Sequence, residues 1–284
     1  MTERLGEITD RIEGVRQLGA VVNAMRGIAA ARAQQARAQL AAVDRYAQTI
    51  AVAIGRTLAF APPADPPRAK RALRPALVVF CAEQGFAGAF SDRVLASVDA
   101  ELGKCDLFLI GSRGRAAIAE KDVVADWATS MPSHSPGVPK LADRIAEALY
   151  ARIASGEVDA LDVVYSRWSA GAGAEVVRQR LFPYDFAAFP KTIDANPPLL
   201  NLQPDALIGA LAAEYLHAQL CRAGLHAFAA ENQARMEAMA AARKQVERQL
   251  DDLQARQRLI RQEEITAEVI ELAAGEAASL AESR

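Results

Sequence analysis

Apolar residues recur with a helical period throughout the C-terminal part of the chain. Beyond Pro204, large apolar side chains return at steps of three and four residues, with charged residues between them. This pattern predicts an amphipathic α-helix. A helix over 205–280 would be about 110 Å long, and a period sustained that far indicates a coiled coil with a partner helix. The apolar positions are Leu225, Phe228, Met236, Met239, Val246, Leu250, Leu253, Ile260, Ile265, Val269 and Leu272.

The N-terminal segment has the same kind of period over residues 3–58. It begins with an apolar seam of heptad spacing, in which Gly19 occupies the position that lacks a large side chain. Closely spaced alanines between residues 29 and 42 would let a partner helix approach closely. The seam consists of Leu5, Ile8, Ile12, Val15, Val22 and Met25.

Proline positions separate these two segments from the middle of the chain. All 13 prolines lie between Pro62 and Pro204. Because a proline inside a helix costs about 3 kcal/mol, both proline-free ends can form uninterrupted helices. We predict that they pair as a long antiparallel coiled coil, since the chain leaves the middle segment at one end and returns at the other. The predicted organisation is coiled-coil helices at 1–60 and 204–284, a linker at 61–75 and a globular domain at 76–203.

The middle segment alternates short apolar runs with helical stretches. This alternation, followed by two neighbouring strands, predicts a small α/β domain with a largely parallel sheet. The last two strands are expected to form a hairpin around residues 170–173. The predicted strands are 76–81, 106–110, 123–127, 158–168 and 174–183, and the predicted helices are 91–102, a helix beginning near 113, and 140–155.

Composition narrows the classes of function. A formal net charge of −2 argues against general nucleic-acid binding, which needs a basic surface. The three cysteines are far apart in the sequence, and the N-terminus is charged from its third residue, so we expect reduced thiols and no signal peptide. No run of about 18 uncharged apolar residues occurs, which argues against a membrane span.

Few residues suggest chemistry. The turn QGFAGAF at 84–90 lacks the spacing of a phosphate-binding glycine loop, so we expect a plain turn there. His217 and Cys221 stand four residues apart on a predicted helix, but two ligands do not make a zinc site. The sequence therefore predicts neither catalytic nor metal-binding residues, and no small-molecule ligand.

Two polar features of the helices allow alternative interpretations. Between Glu13 and Asp44 the chain has no acidic residue but several arginines, which form either a solvated face or a basic stripe facing an acidic partner. The polar cluster at 261–266 interrupts the apolar seam of the last helix. It is either a register device or a hydrogen-bonding latch to another protein.

Several segments carry a resemblance to a known family. Residues 230–239 (AENQARMEAM) are similar to the pattern S-E-x-x-A-R-M-x-A-M, and residues 261–268 to R-Q-x-x-I-T-x-E. Near the N-terminus, residues 11–15 are similar to R-I-x-S-V and residues 24–29 to A-M-x-x-V-A. With the small residues at 275–278, these segments resemble the γ subunit of F-type ATP synthases. The resemblance covers both helices and, more weakly, the middle segment.

The resemblance implies a central rotor stalk that couples ion movement through a membrane ring to ATP synthesis or hydrolysis in a catalytic hexamer. Its implied partners are the α and β subunits of the hexamer, the ε subunit and the membrane c-ring. The implied location is peripheral, at the cytoplasmic face of a bacterial inner membrane. The resemblance implies neither an active site nor a cofactor in this chain.

The resemblance also implies which residues contact the partner subunits. Arg261 and Gln262 match positions of the family motif and are the strongest candidates for a latch. A hydrogen bond to a charged group contributes about 1.5–3 kcal/mol. The mostly apolar end from Leu272 to Leu280 suits a smooth bearing. The implied contact and coupling residues are Met25, Arg26, Arg235, Met236, Met239, Arg261, Gln262, Thr266 and Glu268.

Some positions depart from the family pattern. Val22 and Asn23 stand where Thr-Lys is usual, and residues 82–84 (AEQ) stand where the family shows an Asp-Arg pair. These departures suggest a divergent member, such as the sodium-associated ATPase type of some bacteria. Two other hypotheses are a non-catalytic coiled-coil scaffold or adaptor with an α/β head, and an α/β enzyme with helical extensions.

Overall fold

The chain divides into two compact units. The structure is a computed structural model that describes residues 2–60, 75–190 and 199–282, with side chains described between residues 5 and 274 of these ranges. One unit takes in the chain up to Ile28 and from Met236 onward, and the other runs from Ala29 to Arg235. The linker predicted at 61–75 lies, apart from its last residue, outside the described residues.

The described chain begins and ends with a long helix. The first has 57 residues and the last has 79, as the proline-free segments predict. Three short 3₁₀ turns, at Asp99–Glu101, Ser135–Gly137 and Phe186–Ala188, lie in the connections. The elements are α1 (Thr2–Leu58), β1 (Pro75–Phe80), α2 (Phe90–Ala96), β2 (Asp106–Ile110), α3 (Ser112–Ala119), β3 (Trp127–Thr129), α4 (Val138–Ala154), β4 (Ala160–Ser169), β5 (Gly173–Phe182) and α5 (Pro204–Glu282).

In the first unit, α1 and α5 pack against each other in opposite chain directions. Gln257 Nε2 donates to Thr9 Oγ1 at 2.9 Å, and Arg243 Nη1 donates to Asn23 Oδ1 at 3.4 Å. Residue numbers therefore fall along α5 as they rise along α1, which confirms the predicted antiparallel pairing. Among the side chains of this unit that the structure describes, the buried apolar ones are Ile12, Val22, Met239, Val246 and Leu253.

In the second unit, the same two helices again run antiparallel. Arg37 Nη2 donates to Gln233 Oε1 at 2.8 Å, and Tyr46 Oη donates to Glu214 Oε2 at 2.7 Å. Small residues of α1 lie fully buried here, among them Ala33 and Ala36. The alanine-rich part of α1 thus allows the close approach that its composition predicts.

The second unit also contains a five-stranded sheet of order β3-β2-β1-β4-β5. The first four strands are parallel, and β5 pairs antiparallel with β4. This arrangement confirms the predicted α/β class with its largely parallel sheet. The predicted hairpin is also confirmed, since β4 ends at Ser169 and β5 begins at Gly173.

Helices cover both faces of the sheet, because side chains of a strand alternate between faces. Val78 and Phe80 of β1 belong to a core formed with α4, α5 and α1. Leu77 and Val79 point the other way and pack with α2 and α3. Parallel strands buried on both faces read as continuous apolar runs, which is how β1 and β2 appear in the sequence.

Two predicted elements differ from the structure. The third strand is Trp127–Thr129 rather than 123–127, because the Asp126 carboxylate accepts the Leu107 N–H at 2.8 Å and the ladder begins only after it. The helix predicted at 91–102 ends at Ala96, and a 3₁₀ turn follows. There the Ser97 hydroxyl donates to the Val94 carbonyl at 2.6 Å, in competition with a continued helix.

No helix within the described ranges is long and apolar enough to cross a bilayer.

The helix pair of the first unit tolerates little extra volume at Gly19. A Cβ at Gly19 would lie 3.1 Å from Val246 Cγ1, whereas a Cβ at Gly14 would meet nothing within 4 Å. Gly19→Leu should therefore destabilise the chain by about 1–3 kcal/mol through overpacking. Gly14→Leu, the matched control, should stabilise it by up to about 1 kcal/mol through helix propensity. Urea unfolding followed by circular dichroism measures both, and equal stability of the two variants would contradict the packing.

Asp162 is a buried acidic residue at the β4–β5 pairing. Its carboxylate is only 3% exposed and binds two arginines of β5, Arg178 at 2.6 Å and Arg180. Burial alone would raise the pKa of Asp162, but the hydrogen bonds from Arg180 and Arg178 and their positive charges outweigh it and lower that pKa below its ordinary value. Arg178 also binds Glu101, so the network joins the sheet to the connection after α2.

Asp162→Asn should therefore lower the free energy of unfolding at pH 7 by about 1–3 kcal/mol. Because the folded-state pKa is depressed, the ionised carboxylate stabilises the fold fully above its unfolded pKa of about 3.9. This contribution is lost as the pH falls through the folded value, so the difference from wild type should narrow in acid. Urea titrations of this variant and of the exposed-site control Asp251→Asn, run from pH 7 downward, test it. A pH-independent difference would argue against the ionised network.

Candidate functional site

The turn that follows β1 lies at the topological switch point of the sheet. The chain passes from β1 to β2 on one side, whereas β4 lies on the other side of β1. In open α/β sheets, ligands bind in the crevice at the carboxyl ends of the strands at this point. Here the turn at residues 82–88 occupies the end of β1, and Trp168 stands near the end of β4.

Side chains of α5 fill this crevice. Glu231 is 3% exposed, and its carboxylate accepts the backbone N–H groups of Glu83 and Gln84, each at 3.2 Å. Arg235, one helical turn further along α5, binds the same carboxylate at 2.6 Å. Its guanidinium also donates to the carbonyls of Gln84 at 3.2 Å and Gly85 at 3.1 Å. We call Glu231, Arg235 and the backbone of residues 83–85 the carboxylate clamp.

A second layer of contacts holds the clamp in place. Asn232 Oδ1 accepts from Arg235 Nη1 at 3.1 Å, while Asn232 Nδ2 donates to the Phe228 carbonyl at 2.9 Å. The guanidinium of Arg37 lies 4.1 Å from the centre of the Trp168 ring, a cation–π contact. The turn, α2, β4 and α5 also share a small apolar cluster, which contains Ala82, Ala87, Phe90, Ala230, Trp168 and Ala234.

Glu83 ties the turn to the rest of the sheet edge. Its carboxylate accepts the N–H groups of Ser112 at 3.1 Å and Met131 at 2.9 Å, and its own carbonyl accepts the Ser112 hydroxyl at 2.7 Å. Ser112 is the first residue of α3, where unpaired N–H groups favour an acceptor. The glutamate at this departure from the family pattern therefore has a defined structural role.

Electrostatics explain why charges this deeply buried remain in the fold. A buried charge is tolerated only when it is paired and its hydrogen-bonding capacity is used. Both conditions hold for Glu231 and Arg235, which pair with each other and with four backbone groups of the turn. The arrangement fixes the turn and the helix in a single register.

Titratable groups near the sheet are held in their neutral forms. Burial raises the pKa of the Cys81 thiol to about 12, and burial, with help from Arg222, lowers the pKa of His226 to about 4. The neutral His226 ring stacks on Tyr165, with ring centroids 5.7 Å apart. These side chains pack within the domain.

His217 and Cys221 also have partners within the domain. His217 Nε2 lies 3.0 Å from Asp143 Oδ1, and Cys221 Sγ lies 3.8 Å from the same nitrogen. Across the part of the chain that the structure describes, no group of three or more potential ligands is arranged for a metal ion.

The residues predicted as partner contacts fall into two groups. Arg261, Gln262, Thr266 and Glu268 are exposed on α5 in the first unit. The remainder are partly or fully buried: Met25, Arg26 and Met236 are half-buried, and Met239 and Arg235 are buried. As contacts with partner subunits all of these residues stay predictions. The described hydrogen bonds of Arg235 are within the chain.

Glu231 and its backbone partners were not among the predicted site residues. Its spacing of four residues from Arg235 would bring the two side chains together on a helix face, which is a signal in the sequence. The turn that they bind lies about 150 residues earlier, as Arg235 and Gly85 illustrate. Nothing in the local pattern links these segments.

These features define a class of protein that has paired terminal helices and an α/β unit. In the α/β unit, side chains of the last helix fill the crevice where other α/β proteins bind a ligand. A family model described as ATP synthase matches residues 4–279. The ATP synthase gamma chain of Frankia casuarinae is 29% identical, over 97% of this chain and 97% of that protein. That of Moorella thermoacetica is 26% identical, over 95% and 96% respectively.

Solved structures share the fold. One chain in the structure of the Euglena gracilis mitochondrial ATP synthase rotor aligns over 93% of this chain and 100% of its own length, with a TM-score of 0.66 at 14% identity. A second structure of that enzyme comprises OSCP, F1 and the c-ring. One of its chains aligns over 100% of this chain and 97% of its own length, with a TM-score of 0.63 at 16% identity. The chain belongs to the ATP synthase gamma family.

Proposed function

We propose that this chain is the central rotor stalk of a bacterial F-type ATP synthase. It couples ion movement through the membrane c-ring to ATP synthesis or hydrolysis in the catalytic hexamer. Its partners are the α and β subunits, the ε subunit and the c-ring. It lies peripherally at the cytoplasmic face of the inner membrane.

One observation supports this proposal most directly. The match to the gamma family covers both long terminal helices and also the sheet, whose strands lie between the two helices in the sequence. Helices of 57 and 79 residues suit a stalk, since an α-helix rises 1.5 Å per residue. A free scaffold or an α/β enzyme would not require the family's signature at both ends of the chain.

The far part of α5 supports a contact with other subunits. Three large apolar side chains there are each more than half exposed: Val269, Ile270 and Leu272. Exposed apolar side chains grouped on one segment usually mark an interaction site. Leu272 is the first residue of the apolar bearing; the side chains from residue 275 onward lie outside the described residues. The bearing would turn inside the ring of catalytic subunits.

Arg261 and Gln262 are the proposed latch. Both are exposed on α5, so their donors can reach an acidic or carbonyl acceptor of a catalytic subunit. Thr266 lies one turn further along the helix, where its hydroxyl donates to the Gln262 carbonyl at 2.8 Å. The latch would form and break once in each catalytic step.

The proposal is tested by assembling the catalytic hexamer with and without this chain, joining both to the membrane sector in vesicles, and measuring ATP-driven ion pumping. Proton and sodium indicators are read in parallel. We expect pumping only when the chain is present. Equal pumping without it would refute the assignment as the rotor.

The double variant Arg261→Ala/Gln262→Ala should lower the ATP hydrolysis rate of the assembled complex by about tenfold. That factor corresponds to the loss of about 1.4 kcal/mol from the limiting step, the low end for a charge-assisted hydrogen bond. The free chain should keep its fold, because both side chains are exposed. The matched control is Arg248→Ala/Gln249→Ala, an exposed Arg-Gln pair on the same helix outside the family motif. A rate equal to that of the control would remove the latch.

A further inference from the structure

We propose that Glu231 and Arg235 are positioning residues that carry force between the sheet and α5, so that the carboxylate clamp keeps ATP hydrolysis coupled to ion pumping. This inference rests on the proposed function and assigns a role to a site inside the second unit. It concerns contacts of the chain with itself.

The argument begins with the kinds of contact that join the sheet to α5. The hydrophobic effect that holds the apolar contacts is non-directional, so it does not by itself fix the orientation of particular groups. Hydrogen bonds weaken steeply with angle and distance, and those to charged groups are the strong ones. The clamp makes four such bonds from α5 to the backbone of residues 83–85. It therefore adds a directional restraint to the apolar contacts between the sheet and α5.

The clamp acts on backbone groups, which makes it a rigid connection. The N–H group of Gln84 donates to Glu231, and its carbonyl accepts from Arg235. The backbone at Gln84 therefore cannot rotate without breaking hydrogen bonds. Glu83 holds the same turn from the other side through Ser112 and Met131. Force on α5 at Glu231 thus reaches the first turn of α3 and Met131, two residues after the end of β3, through consecutive hydrogen bonds.

The conformation of the turn indicates that it is held under constraint. Phe86 has φ of 60°, a left-handed conformation that is unfavourable for a bulky residue, and its side chain is 67% exposed. Such a conformation persists only where surrounding contacts determine it. The residue before Phe86 is Gly85, and its carbonyl accepts a hydrogen bond from the guanidinium of Arg235.

Burial of the pair favours a role in specificity over one in stability alone. A buried ion pair contributes little net stability relative to well-packed apolar residues, because both charges lose their hydration. The same residues impose one register on the contact between turn and helix, since the carboxylate and the guanidinium bind specific backbone groups of residues 83–85. That property is what a mechanical connection requires.

Glu231→Gln tests the inference, with Glu175→Gln as the matched control. Both variants remove one carboxylate charge from an Arg–Glu pair, but Glu175 and its partner Arg167 are about half exposed at a distance of 2.7 Å. Three quantities are measured on the complete complex in vesicles: ATP hydrolysis per assembled complex, ions pumped per ATP, and hydrogen exchange of the peptide containing residues 83–86. Normalising to assembled complex separates coupling from folding yield.

For Glu231→Gln we expect hydrolysis close to wild type, a loss of ions pumped per ATP, and at least about tenfold faster exchange at residues 83–84, the factor that a charge-assisted hydrogen bond supplies. Glu175→Gln should match wild type in all three. Unchanged pumping per ATP in Glu231→Gln, even with reduced stability or less assembled complex, would overturn the inference. A wild-type complex that fails to pump would instead contradict the proposed function, and this inference with it.

Discussion

A long apolar stripe that a helix cannot bury by itself is the constraint on which this structure depends. Isolated helices are marginal in water, and their stability in proteins comes mainly from packing an amphipathic face. Here each terminal helix supplies the apolar partner of the other, antiparallel in both units, as Gln257 on Thr9 and Arg37 on Gln233 show. That pairing requires helices without proline and small residues where the helices approach closely. The α1 segment has no proline, and its alanines supply the small residues.

The same helix that forms the pair also completes the α/β unit. Phe228 of α5 belongs to one core of the sheet, and Glu231 one turn later enters the crevice at the switch point. A carboxylate from the chain itself thus occupies a place where other doubly wound folds receive a ligand. The N–H groups after β1 bind this internal anion, and the sheet and the helix become one mechanical body within the unit.

Much of the architecture follows from sequence patterns because it depends on local periodicity. The bounds of β2, Asp106–Ile110, match the apolar run, and both long helices follow from the proline-free periods. The error at β3 arose where a side chain contacts the backbone of another element: Asp126 delays β3 by binding Leu107. The clamp was missed for the same reason, since Glu231 meets Gln84 across 147 residues of sequence. The partner contacts, including Arg261, depend on surfaces outside the chain and remain predictions.

The proposed function requires that the chain turns relative to the catalytic hexamer while ATP is hydrolysed. The most direct measurement attaches a probe to an engineered cysteine at the exposed Val124 of the α/β unit, in an immobilised catalytic complex, and follows it by single-molecule microscopy. We expect sustained rotation in one direction that depends on ATP. A probe that stays fixed or moves in both directions at random, while the complex continues to hydrolyse ATP, would contradict it.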